Sequence, residues 1–62
     1  MLTLRQSEVV ALVLRGWTNR EIAEELEISE TRVERHIRTI ADKLPGSGRA
    51  RRRICEQLRS AA

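Results

Sequence analysis

The sequence predicts an all-α fold, a four-helix domain containing a helix-turn-helix. Three observations carry this. Apolar residues recur at three- and four-residue steps, the period of one helix face. Helix-start signals stand at Thr3, Thr18 and Ser29. Only Glu27, Ile28 and Ser29 are left to connect the two central stretches, and so short a link makes the helices cross steeply.

The first helix is predicted over residues 3–15. Thr3 and Gln6 have capping-box spacing, in which each side chain bonds the backbone N–H of the other. Val9 to Leu14 is an unbroken apolar run, which predicts a helix that is buried or covered on a second face. Gly16 is the residue to end it in the left-handed conformation. The second helix is predicted over 18–26. Thr18 and Glu21 form another capping box, and Trp17 and Ile22 are placed as a hydrophobic staple. Ile22, Ala23 and Leu26 give this helix its apolar face, with Ala23 small enough for a close crossing.

The third helix is predicted over 29–44. Val33, Ile37, Ile40 and Leu44 form its stripe. Pro45 disfavours helical geometry at Leu44, and Gly46 and Gly48 give the following turn its freedom. A fourth helix is predicted over 49–61, with a stripe of Ala50, Ile54, Leu58 and Ala61.

Composition bounds what these helices can do. Sixty-two residues form one small domain, near the lower limit for a self-sufficient core. With one Trp and no Phe or Tyr, that core must be aliphatic. The formal charge of +3 permits a polyanionic partner. Its distribution is uneven. Residues 1–44 hold seven basic and eight acidic side chains, a net of −1, whereas residues 45–62 hold five arginines and one glutamate, a net of +4. A single Cys excludes an intramolecular disulfide and fits a reducing, cytoplasmic setting. Met1 leads straight into a capping box, so no signal peptide is expected. The apolar run Val9 to Leu14 is far too short to span a bilayer.

Catalytic chemistry finds little support. His36 is the only His and Cys55 the only Cys, so a metal site would need ligands from several chains. No cofactor and no enzymatic activity are expected. His36 lies near the apolar stripe and reads as a packed histidine with a local hydrogen bond. Cys55 reads as a small half-buried hydrophobe. Trp17 reads as a core residue, since platforms that stack single-stranded bases use several aromatics.

The third helix is different. With its stripe turned inward, the outward face presents Thr31, Arg35, Arg38, Thr39 and Asp42, with Arg32 and Glu34 on the flanks. A major groove admits such a helix. Arginine matches guanine O6 and N7 with its two-pronged fork, and glutamate can accept from cytosine N4. The bland alternative is a solvated face laced by Glu34–Arg38 and Arg38–Asp42 pairs, each four residues apart. At the start of the second helix, free backbone N–H groups join Thr18, Asn19 and Arg20 in a phosphate site. Glu24, Glu25 and Glu27 should point away from any phosphate and could meet another protein instead.

LTLRQSEVVALVLRGWTNREIAEEL followed by ISETRVERHIRTIADKL resembles the LuxR-type (GerE-type) DNA-binding domain of bacterial transcription regulators. The matching residues include Glu8-Val9-Val10, Gly16, Thr18 to Ala23, Leu26, Ile28-Ser29, Val33, His36, Ile40 and Lys43-Leu44. The chain departs from the family pattern at Gln6, where Glu is usual, and at Arg32-Val33-Glu34, where Thr-Val-Lys is usual. It departs again at Pro45 to Gly48.

The resemblance implies sequence-specific binding of double-stranded DNA, with Glu34, Arg35 and Arg38 facing the groove; Thr31, on the same outward face, is expected to face bases with them. Thr18, Asn19, Arg20, Arg32, Thr39 and Arg49 would face phosphates. Arg51, Arg52 and Arg53 could also reach flanking phosphates. The resemblance further implies a homodimer on DNA through the fourth helix, whose stripe of Ala50, Ile54, Leu58 and Ala61 could equally pack on its own core. RNA polymerase, or a regulatory domain outside this chain, is a further expected partner. Two other readings stand beside it. One is a sigma-factor region-four-like promoter module. The other is a protein–protein adaptor using the acidic face of the second helix.

Overall fold

The computed structural model describes residues 2–46 and 48–61, with side chains described through residue 59. Four helices follow one another: α1 (Leu4–Leu14), α2 (Asn19–Leu26), α3 (Glu30–Asp42) and α4 (Ala50–Ala61). No strand occurs among the described residues.

Local hydrogen bonds set the boundaries. At α1, Gln6 N–H donates to the Thr3 hydroxyl at 3.1 Å, and Thr3 N–H donates to Gln6 Oε1 at 3.0 Å. At α2, Glu21 N–H donates to the Thr18 hydroxyl at 3.1 Å, and Thr18 N–H donates to Glu21 Oε1 at 2.8 Å. At α3, Arg32 N–H donates to Ser29 Oγ at 3.1 Å. Each cap satisfies backbone donors that the first helical turn leaves without partners.

The first two helices end alike on different residues. Gly16 takes φ +84°, and Trp17 N–H reaches back to the Leu12 carbonyl at 3.1 Å. Glu27 takes φ 56°, and Ile28 N–H reaches back to the Ala23 carbonyl at 3.0 Å. Both show the long-range bond of a Schellman ending. A side chain in that left-handed position costs about 1–2 kcal/mol. The pattern of residues did not announce Glu27 as such a position.

The core is small and aliphatic. Val9 and Val13 from α1, Ile22 and Ala23 from α2, Val33, Ile37, Ile40 and Ala41 from α3, and Ile54 from α4 are buried together. Ala23 is 6% exposed, in keeping with a close α2–α3 crossing. Trp17 is half-buried and packs against this cluster. Leu44 does so too, but from beyond the end of α3, which stops at Asp42 with Lys43 as its cap.

Burial along α1 is one-sided. Val9, Val10 and Val13 are buried, Leu12 and Leu14 are half-buried, and Ala11 is exposed. Gln6 is the one buried polar side chain among the described residues, and its Oε1 also lies 3.5 Å from Lys43 Nζ.

The stripe of α4 faces inward. Ile54 has 0% exposure, so it has no surface to offer a second copy. Ala50 and Leu58 are half-buried against the same core. The side chain of Ala61 lies outside the described residues. No helix is long and apolar enough to cross a membrane among the described residues.

Candidate nucleic-acid interface

The outward face of α3 is continuous. Thr31, Glu34, Arg35, Arg38, Thr39 and Asp42 line one shallow surface along it, and all six are exposed. Val33, Ile37 and Ile40 hold the opposite side in the core, so the rotation of the helix about its axis is determined. Neither the Glu34–Arg38 nor the Arg38–Asp42 pair closes. The ion pairs among the described residues are Arg5–Glu8 at 3.7 Å, Arg20–Glu24 at 3.2 Å and Arg52–Glu56 at 2.8 Å. The guanidinium groups of Arg35 and Arg38 therefore keep their donors available for a ligand.

Beside this face lies a second depression, of about 450 Å³, at the start of α2. Thr18, Asn19 and Arg20 line it from α2, Glu30 and Glu34 from α3, and Arg51 from α4. Glu34 thus borders both surfaces. The capping box engages the N–H groups of Thr18 and Glu21, leaving those of Asn19 and Arg20 as the free donors of the first turn. Arg20 is exposed and leans along the helix to Glu24. Asn19 is half-buried, and its Oδ1 accepts from Arg51 Nη1 at 2.7 Å.

The arginines of α4 stand differently from their sequence reading. Arg51 also donates to the Trp17 carbonyl. Arg53 donates to the Ala41 carbonyl at 3.2 Å and the Gly48 carbonyl at 3.3 Å. Arg59 donates to the Leu14 carbonyl. Arg52 is paired with Glu56. A guanidinium beside carbonyls at a helix end satisfies acceptors the helix leaves open. Arg49 is exposed and makes no side-chain bond among the described residues. Arg51 and Arg53 reach Asn19 and the Ala41 carbonyl on other helices, which no local signal in the sequence shows, whereas the Arg52 partner Glu56 stands four residues on in the same helix.

His36 is half-buried on α3 and makes no side-chain hydrogen bond among the described residues, so the expected local bond is not found. Burial pushes its pKa below the ordinary value, and the nearby charges of Arg32, Arg5 and Arg35 push the same way. Arg52 is held above the ordinary guanidinium range by its hydrogen bond and charge contact with Glu56. Cys55 is half-buried, and no cluster of metal-ligating side chains occurs among the described residues.

Two capped helices crossing through a three-residue link, the second with an unpaired polar face, define a helix-turn-helix protein of the DNA-binding class. Residues 1–55 match the family described as bacterial regulatory proteins, luxR family, and the chain belongs to that family. The family consists of DNA-binding regulators rather than enzymes. The match sets aside the sigma-factor region-four-like reading. A probable transcriptional regulatory protein, SgaR, of Hyphomicrobium methylovorum is 43% identical over 49 residues. That alignment covers 79% of this chain and 23% of the relative, so the chain spans under a quarter of that protein's length. No solved structure matches the chain.

Proposed function

We propose that residues 1–62 act as one DNA-reading unit of a bacterial transcription regulator, with α3 seated in the major groove. The observation that supports this most is the outward face of α3, where Arg35 and Arg38 have no partners among the described residues. In this reading Thr31, Glu34, Arg35 and Arg38 meet base edges, while Arg32 and Thr39 flank them towards the backbone. Thr18, Asn19, Arg20 and Arg49 hold phosphates, with the free N–H groups at the start of α2 contributing. The setting is the cytoplasm. A regulatory domain outside this chain, or RNA polymerase, is the further partner.

A homodimer on DNA would have to use the exposed side of α4, around Arg52, Glu56 and Arg59, because Ile54 is already buried. Two copies on neighbouring half-sites are the expected arrangement.

Selection of bound sites from random duplexes tests the reading. It should return a defined sequence with a repeated half-site. On that sequence Arg35→Ala and Arg38→Ala should each lose about 1–3 kcal/mol of preference, with random duplexes bound nearly as before. Arg20→Ala should weaken both kinds of duplex alike. No enrichment above random sequence would overturn the base-reading role of α3.

A further inference from the structure

We propose that Arg51 of α4 is a positioning residue for DNA binding, holding Asn19 with its amide N–H groups turned outward at the start of α2. The inference rests on the phosphate role proposed for Asn19.

Arg51 Nη1 donates to Asn19 Oδ1 at 2.7 Å, and its Nη2 donates to the Trp17 carbonyl. A guanidinium carries donors and no acceptor, so the Asn19 atom facing it has to be the oxygen. The Nδ2 group then points away from α4, where its two N–H bonds can meet an anion. A free asparagine amide turns easily between its two orientations, since that torsion is broad. The planar fork selects one of them because it is anchored at the same time to backbone. Both side chains are half-buried, which shields the bond from water.

Arg20, the next residue, has no such brace and lies exposed along α2. Arg51 lines the same depression as Glu30 and Glu34 of α3. The fourth helix thereby acts on the DNA-facing end of α2 through a bond spanning 32 residues of sequence.

A double-mutant cycle tests this, read as affinity for selected and random duplexes at several salt concentrations, with thermal unfolding of each variant alongside. Arg51→Met and Asn19→Ala should each weaken binding roughly three- to tenfold, the range a single hydrogen bond commands. The double variant should be no worse than the weaker single one. The salt slope should stay level, because neither change removes a cation paired with a phosphate.

Arg51→Lys keeps the charge but not the two-pronged fork, so it should fall with Arg51→Met. Full affinity in Arg51→Lys, or a slope lowered by about one unit in Arg51→Met, would mean a direct phosphate contact and overturn positioning. A silent Arg51→Met beside a weakened Asn19→Ala would overturn positioning and leave the phosphate site standing. Silence of both Asn19→Ala and Arg20→Ala would remove the phosphate site itself.

Discussion

Arg35 and Arg38 on α3 stand exposed without partners among the described residues, while Arg51, Arg53 and Arg59 on α4 bond carbonyls of other segments. Charge counting alone ranks these regions the other way. Residues 45–62 carry a net of +4 and residues 1–44 a net of −1. The difference teaches that a guanidinium's use depends on what the fold places within its reach. On α4 the carbonyls of Leu14, Trp17 and Ala41 are within reach, at the ends of α1 and α3 and in the turn before α2. On α3 neither Arg35 nor Arg38 bonds another segment among the described residues. The basic end of the chain therefore clamps the fold, and the nearly neutral middle presents the free donors.

The largest expected effect tests the structural half of this contrast. Ile54→Ala should cost about 2–5 kcal/mol of stability, the range for emptying a buried aliphatic site. In a domain of this size that approaches the whole margin. If α4 serves its own core, the loss should not depend on protein concentration in thermal unfolding. A melting temperature that climbs with concentration in the wild type and not in Ile54→Ala would instead make Ile54 a dimer residue.

Charge changes on the two helices sharpen the contrast further. Glu34→Lys adds a cation beside both surfaces proposed to face DNA. It should tighten binding to every duplex and steepen the salt slope by about one to two units. If Glu34 accepts from a cytosine instead, Glu34→Ala should relax preference at one base pair by about 1–3 kcal/mol and leave random DNA bound as well or better. Arg52→Ala, on the exposed α4 pair, should leave the salt slope and the affinity of a single copy for one half-site unchanged. A slope lowered by one unit there would bring α4 onto the DNA and break the comparison.

The smallest effect concerns His36. Its folded-state pKa lies below the unfolded value, from burial and from Arg32, Arg5 and Arg35. Above the unfolded pKa both states are neutral and stability is complete. As pH falls through that value, the unfolded chain binds the proton first and stability declines, levelling off once the folded pKa is passed. Melting temperatures at pH 7.5 and 5.5 should show this decline, and His36→Gln should reduce it. An equal decline in both proteins would detach His36 from the pH response.

Much of the fold was legible in the sequence because its signals are local. The caps at Thr3, Thr18 and Ser29 close bonds between residues three apart, and the left-handed turn at Gly16 needs only the absence of a Cβ. The periodic stripes state which side of each helix avoids water, and so which side of α3 is left outward. Family membership follows from the same stretches.

Only the tertiary structure decided what covers each stripe and where each long side chain ends. A stripe such as Ala50, Ile54 and Leu58 is equally suited to its own core and to a second copy, and Ile54 at 0% exposure settles its own case. The strained turn at Glu27 follows from closing α2 against α3, not from a turn-forming residue. Arg49, Arg51, Arg52 and Arg53 are alike as residues. Arg52 meets Glu56 four residues on, whereas the flexible stems of Arg51 and Arg53 reach acceptors that packing brings near, Asn19 and the Ala41 carbonyl on other helices.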